Sequence, residues 1–411
     1  MTTKLRWAAI AALLIKISLA LFTTGTNDSI TWDRDVAKLR SAGAAELYRE
    51  GVQFPGRNGI LEQPQKFIHP PEVLRGLQLL GILHDKTGLP PHVWLRVFCA
   101  FADAGTLTLL WLMFPGPAYR AALILVALSP VSILVSGFHG NTDPIMMCFV
   151  AMSVWQMKKG RLAWSGAAFG ISLGVKLAPV IFVPTLLLAI SGSRNRLKWI
   201  VAAILVWTGA GLPWLIQSPE LILRTIFGYS GSTGWWGFQL WAGILKIWGY
   251  PMWYELYSPY SKWLALAAVT VVPVIFRLWG VRIGLFAQCG LIASLFLFVS
   301  PAFGLQYLAW TVPWLIVLAP RVIVPYYALT SAFMLMVYGV AASAGGPKLY
   351  ADLLTGDRGV LIGMGVICWM GMGLMIRSYF HLAVRPDGIP GASRESVEVC
   401  AVQRRETDSS A

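Results

Sequence analysis

Apolar runs of crossing or near-crossing length recur along this chain. They lie at Trp7–Phe22, Val93–Phe114, Ala121–Phe138, Pro144–Met157, Leu197–Ile216, Lys262–Phe276, Ile283–Val299, Gln306–Ala319, Val322–Ala342 and Val360–Ile376. Hydrocarbon offers a backbone no hydrogen-bond partner, so segments of this kind must fold as helices. Apolar residues make up 56% of the chain and charged residues 13%, a balance that no water-soluble domain of 411 residues needs. The expected fold is therefore an all-α polytopic membrane protein. One further stretch, Leu162–Ile190, is too long for one comfortable helix and is interrupted at Gly174-Val175-Lys176-Leu177-Ala178-Pro179. Counted as a pair, it brings the total to about twelve membrane-embedded helices. Interrupted helices are tolerated at membrane depth where they line a cavity.

The formal charge of +14 would point to nucleic acid in a soluble protein. Here basic groups such as Lys4/Arg6, Lys158/Lys159/Arg161 and Arg194/Arg196/Lys198 fall in short loops on one side if the spans alternate. That side is cytoplasmic by the positive-inside rule, and no nucleic-acid partner is expected. The N-terminus and a polar tail at 377–411 are then cytoplasmic, with residues 1–376 forming one domain integral to the plasma (inner) membrane. The tail is rich in Gly, Ser, Glu and Arg, and its end is expected to be disordered. Lys4 and Arg6 before Trp7–Phe22 look like a signal peptide, but the many later spans make this a retained first helix. No cysteine pair has metal-ligand spacing, so the cysteines read as small buried hydrophobes.

The segment 23–92 between the first two spans is polar, and membrane proteins keep connections short unless the connection does something. It carries Asp28, Asp33, Asp35 and the stiff turn His69-Pro70-Pro71, and Thr31–Ala42 has helical composition with Gly43 placed to end it. A second polar knot, His139-Gly140-Asn141-Thr142-Asp143, emerges on the same side. Acidic groups from two separated segments at one membrane face indicate a site fed from the lipid. Asp28 reads as a general base at the bilayer surface, or alternatively as a cap of a helix starting near Ile30. Asp33 and Asp35 fit that helix's solvated face. Asp143 suits an N-cap before Pro144, whereas His139 at this depth is costly and suggests function. Lys176 is an ammonium in an apolar segment with no acid nearby in sequence; a lipid phosphate would satisfy it better than snorkelling. The two prolines can aim His69 at the site, or can simply make a rigid turn. Gln306, Tyr307 and Trp310 share one face of an α-helix by spacing, suited to a sugar or polyprenyl head or to an ordinary aromatic belt.

In this order the motifs resemble those of the GT-C superfamily of membrane glycosyltransferases, and in particular the family 87 enzymes that use polyprenyl-phosphate-mannose. The resemblance runs from the first span through Pro313. It rests on Asp28, on Phe67 with His69-Pro70-Pro71, on Phe138-His139-Gly140-Asn141-Thr142-Asp143, on Lys176-Leu177-Ala178-Pro179, and on Gln306-Tyr307 with Trp310. It implies a polyprenyl-phosphate-sugar donor, best taken as mannose, and a glycan or glycolipid acceptor on the extracytoplasmic face. It implies inversion with Asp28 as base, Asp33 and Asp35 standing as alternatives. Lys176 would hold the donor phosphate with help from His139, and Asp143, His69, Gln306 and Tyr307 would line the substrates. With no nucleotide-binding fingerprint or metal cluster in the sequence, no cofactor or metal is expected. A transporter or flippase of lipid-linked saccharides would predict repeat symmetry and polar residues at the midplane of both halves, and no repeat is found. A surface-glycan polymerase or ligase would share the outer-face site.

Overall fold

Polar residues scattered in these apolar runs decide how the helices break and pack. The protein is described by a computed structural model covering residues 2–53, 64–228, 236–281, 283–300, 302–343 and 358–384. The described chain is mostly helical, with an isolated antiparallel bridge joining Val52 to Gln65. The helices are α1 (Thr3–Phe22), α2 (Asn27–Glu50), α3 (Val73–Thr87), α4 (Pro91–Met113), α5 (Arg120–Ala127), α6 (Pro130–Ile133), α7 (Asp143–Lys158), α8 (Leu162–Val175) and α9 (Val183–Ala189). They continue as α10 (Ser193–Gly209), α11 (Leu212–Gln217), α12 (Pro219–Gly228), α13 (Gly237–Ile247), α14 (Pro251–Leu278), α15 (Leu285–Val299), α16 (Pro320–Ser343) and α17 (Arg358–Val384). Among the described residues, five helical stretches are long and apolar enough to cross a membrane: Thr3–Phe22, Pro91–Met113, Pro117–His139, Pro251–Leu278 and Pro320–Gly339. Shorter apolar helices at Leu162–Val175, Ala178–Ala189, Leu285–Val299 and Leu305–Val317 complete the bundle. Large apolar side chains such as Trp7, Leu14, Leu205 and Trp263 face outward, as lipid contact requires. The chain is a multi-pass integral membrane protein.

Several boundaries differ from the sequence reading. The expected span Leu197–Ile216 divides at Ala210-Gly211 into α10 and α11. Gln306–Ala319 is not an α-helix but two 3₁₀ segments, Leu305–Trp310 and Val312–Val317, with Pro313 opening the second. The expected span Lys262–Phe276 is longer at its start, running as α14 from Pro251 to Leu278. α17 continues past Ile376 to Val384, so the tail begins later than expected; residues 385–411 lie outside the described residues.

The first loop has a core of its own. Ser29, Trp32, Val36 and Leu39 recur at helical spacing on α2 and are buried. Trp32, Val36 and Leu39 join Tyr48, Phe67, Leu74, Leu77 and Leu80 in one cluster with Leu95 of α4. Gly43, with φ 82° and ψ 174°, ends the first helical stretch as expected, and a second stretch runs on from the kink to Glu50. Asp33 and Asp35 depart from the expected solvated face. Asp33 accepts hydrogen bonds from the His92 amide (2.9 Å) and ring (2.6 Å), which fastens α2 to the start of α4. Asp35 is buried, its Oδ1 without a hydrogen-bond partner, and burial pushes its carboxyl well above the ordinary range. A carboxyl whose charged form is disfavoured by burial, with no cation to offset it, is poorly suited to act as the base.

Close packing and a buried ion pair between α1 and α4 help order the membrane part. α8 lies against α10 through Gly166 and Gly170, where a Cβ would come within 2.3 Å and 2.4 Å of the carbonyls of Trp199 and Ala203. Lys16 of α1 meets Asp103 of α4 at 2.8 Å, and Ser132 and Ser136 add hydroxyls to the same carboxylate. Both charges sit inside apolar runs, and no neighbouring residue of either marks their pairing. A charge stranded at this depth costs more than the pair contributes. Asp103→Leu alone should therefore destabilise the protein by about 3–5 kcal/mol, while the double change Lys16→Met/Asp103→Leu should recover most of that loss. Thermal unfolding in detergent checks the comparison, and equal losses in both variants would show that the pair matters for more than charge balance.

Candidate active site

Two segments far apart in sequence meet at one end of the bundle. After α1, Thr26 caps α2 and accepts the Asp28 amide (3.3 Å). Asp28 is thus not the cap but a first-turn residue, with its carboxylate left for other partners. On the other side, Leu134–His139 winds as a π-helical turn and stops at Gly140. Gly140 has a φ of 80°, and a Cβ there would fall 2.4 Å from Ser29 Oγ. Only glycine allows both the turn and the approach. The Thr26 and Ser29 hydroxyls then donate to the His139 carbonyl (2.8 and 3.4 Å), stitching the segments together. Beneath them the buried Arg96 donates to the carbonyls of Ala20 (2.9 Å) and Thr23 (2.7 Å) and to Thr23 Oγ1 (3.0 Å), with a longer contact to Gly137 O (3.5 Å). The Ala20 and Thr23 carbonyls lie at the C-terminal end of α1, where partial negative charge collects.

This junction puts His139 Nε2 3.2 Å from Asp28 Oδ2, and Asn141 Nδ2 donates to the same oxygen at 2.5 Å. Oδ1 has no hydrogen-bond partner among the described residues. Burial raises the Asp28 pKa, but the hydrogen bonds from His139 and Asn141 and the charge of Lys176 outweigh it, and the carboxyl lies below its ordinary value.

Lys176 stands at the break after α8 in extended conformation (φ −163°, ψ 145°). It is not the lone cation that its sequence neighbourhood suggests. Asp143, fully buried at the start of α7, accepts from Nζ with both oxygens (3.1 and 3.0 Å) and also accepts the Trp310 indole N–H. Asp143 therefore serves Lys176 rather than capping its helix. An ammonium has three N–H donors, so one remains after Asp143 is satisfied. Tyr307 lies beneath the ammonium, 5.1 Å from Nζ to the ring centroid, and packs on Trp310 at 4.6 Å. The expected shared face of Gln306, Tyr307 and Trp310 is altered by the 3₁₀ winding. Residues three apart eclipse, so Tyr307 and Trp310 pair and Gln306 turns away, its Oε1 buried without a partner.

His69 is brought to the same place. Its ring packs on Trp32 (4.8 Å) and Phe67 (5.4 Å), and its carbonyl accepts the Tyr48 hydroxyl (2.7 Å). Burial and then the charge of Lys176 push its pKa down to about 4, so it is neutral at physiological pH. Next to it Glu72 reaches between Gly174 and Gly211 with one oxygen unpartnered, and burial pushes its carboxyl up to about 7. The structure thus gathers Asp28, His139, Asp143, Lys176, His69 and Tyr307 around one locus. Arg96, Glu72 and Tyr338 were missed in the sequence; each lies in or beside an apolar stretch with no local motif. Only the improbability of a charge in such a stretch could have marked Arg96.

The described residues form a helical membrane bundle with acidic and basic side chains gathered at one end. The sequence model of glycosyltransferase family 87 matches residues 67–301, more than half of the chain, and the protein belongs to that family. The matched stretch includes His69, His139, Asp143 and Lys176, whereas Asp28, Gln306 and Tyr307 lie outside it. Two solved structures of ArnT from Cupriavidus metallidurans are similar in overall arrangement. The one bound to undecaprenyl phosphate aligns with a TM-score of 0.47 at 14% identity, over 92% of this chain and 77% of that one. The apo state gives 0.45 at 15% identity, over 92% and 76%. No curated protein matches the sequence.

Glu72 supplies a test of the site's electrostatics. Its carboxyl titrates at 4.5 when unfolded and about 7 when folded, so the wild type should lose stability as pH rises between those values and level off above. Glu72→Gln mimics the protonated form and should flatten that part of the profile. Melting temperatures measured from pH 4 to pH 8 decide the matter; parallel curves for the two proteins would place Glu72 in water.

Proposed function

We propose that this family 87 glycosyltransferase moves a hexose, best taken as mannose, from a polyprenyl-phosphate-sugar donor to a glycan or glycolipid acceptor, with inversion at the anomeric carbon. The observation that carries the reading is the placement of a carboxylate with one open oxygen beside a cation with one open N–H. Asp28 Oδ1 takes the proton of the acceptor hydroxyl as that oxygen bonds to the anomeric carbon. The bond from that carbon to the phosphate oxygen breaks, and its electron pair leaves with polyprenyl phosphate. The remaining donor of Lys176 meets the charge that builds on the leaving phosphate. Asp28 then returns its proton to water. His69, neutral and held by aromatic rings, and Tyr307 line the space for the sugar or the lipid head. The depressed pKa of Asp28 keeps it ionised through the neutral range.

Asp28 is favoured over its neighbours because Asp33 is occupied by His92 and Asp35 is buried without a partner. The reading needs no metal or cofactor, since protein groups meet each developing charge. The basic loops support a cytoplasmic N-terminus and tail and a site on the outer face of the plasma membrane.

With polyprenyl-phosphate-[¹⁴C]mannose and washed membranes as the acceptor source, Asp28→Asn should lower transfer by at least about a hundredfold while donor binding persists. Retained turnover would move the base elsewhere. Lys176→Met alone strands Asp143, so the informative variant is Lys176→Met/Asp143→Asn, which is neutral and still packed. It should weaken donor binding by roughly ten- to a hundredfold, as loss of one charged hydrogen bond implies; unchanged donor affinity would exclude Lys176 from the phosphate. Ser41→Cys, on the exposed side of α2, should react with an impermeant maleimide added to intact cells, and labelling only after lysis would reverse the proposed topology.

A further inference from the structure

The Asp28–His139 contact continues into α16. His139 Nδ1 lies 2.9 Å from the Tyr338 hydroxyl, and the imidazole is almost wholly enclosed. The ring of Tyr338 also packs on Phe138 (5.1 Å) and His139 (5.8 Å), so it is seated against the π turn. Among the described residues, Tyr338 is the only group within hydrogen-bond distance of Nδ1.

The protonation pattern follows from what each atom can do. An ionised Asp28 can only accept, so the nitrogen facing it, Nε2, must carry hydrogen. A neutral imidazole with hydrogen on Nε2 has a bare lone pair on Nδ1, and the partner there must donate. Tyr338 can donate. With solvent kept away from the ring, the tautomer is set by this neighbour.

Building on the proposed role of Asp28, we infer that Tyr338 is a positioning residue for the base. Its hydroxyl donates to His139 Nδ1 and fixes the Nε2–H tautomer. His139 and Asn141 then hold Asp28 by Oδ2 and leave Oδ1 as the oxygen that receives the acceptor proton. Tyr338 touches neither substrate nor the reacting atoms; it acts through His139. Without it, His139 can take the Nδ1–H form and turn a lone pair toward the carboxylate, which weakens the orientation of Asp28 and favours its protonation.

The titratable and charged groups facing Asp28 are His139 on the π turn, which contacts it directly, and the ammonium of Lys176 at the end of α8. Asp143 of α7 and His69 of the first loop stand in the same locus, with Arg96 of α4 below. Tyr338→Phe leaves all of these in place and removes one oxygen.

The test uses full-length protein in washed membranes with polyprenyl-phosphate-[¹⁴C]mannose. Tyr338→Phe should lower kcat by at least about tenfold, with the donor KM unchanged, and should shift the acidic limb of the pH profile upward. A purely structural role would lower the amount of active enzyme and leave that limb in place. Introducing His139→Gln supplies an amide N–H that can face Asp28 without a tautomer to choose. In that background Tyr338→Phe should cost less than about twofold. An unmoved limb, or the same loss in both backgrounds, overturns the inference. Should Asp28→Asn retain transfer, the base assignment falls and this inference with it. Should Asp28→Asn be inactive while Tyr338→Phe matches wild type, this inference alone falls.

Discussion

Arg96 is the interaction on which the site rests. Its guanidinium is sealed from solvent and spends its donors on the last carbonyls of α1, on Thr23 and, more distantly, on Gly137. A buried cation without a carboxylate partner needs partial charges arranged around it, and the end of a helix provides them. The segment leading to Asp28 and the π turn leading to His139 therefore share one anchor. The hydroxyls of Thr26 and Ser29 close the same gap from above. The Asp28–His139 distance is consequently a property of packing between α1, α4 and the π turn rather than of a flexible loop.

The second half of the site is built on the same economy. Asp143 has no exposure, and its charge is met by Lys176 and by the Trp310 indole. Three chain segments widely separated in sequence converge there, and each is held by a helix start or break. Gly166 and Gly170 bring α8 so near to α10 that the end of α8, where Lys176 stands, has little room to shift. Rigidity of this kind suits a group that must meet a charge as it forms, since a preorganised cation does not have to reorganise during reaction.

Much of this was legible in the residues. Apolar run length announced the membrane fold, because the rule that lipid-embedded backbone must bond to itself leaves few options. The interruption at Lys176, the ordered first loop and the gathering of Asp28, His139 and Asp143 in one place were also readable, since polar groups in apolar surroundings are costly and so carry information. What was not readable was pairing. Lys176 looked alone because its acid lies in α7, beyond a full helix. Asp35 looked solvated because helical spacing alone does not show which partners cover a face. The Gln306–Trp310 segment looked α-helical because apolar spacing separates poorly the two windings that Pro313 and its neighbours choose between.

That 3₁₀ winding has a consequence for how the segment can change over time. Tyr307 and Trp310 overlap because their separation equals one complete turn. Substituting one ring for another would keep the overlap, whereas gaining or losing a single residue between them would swing one ring about a third of a turn away. Drift in side-chain identity is therefore tolerable in this segment, but its length is fixed.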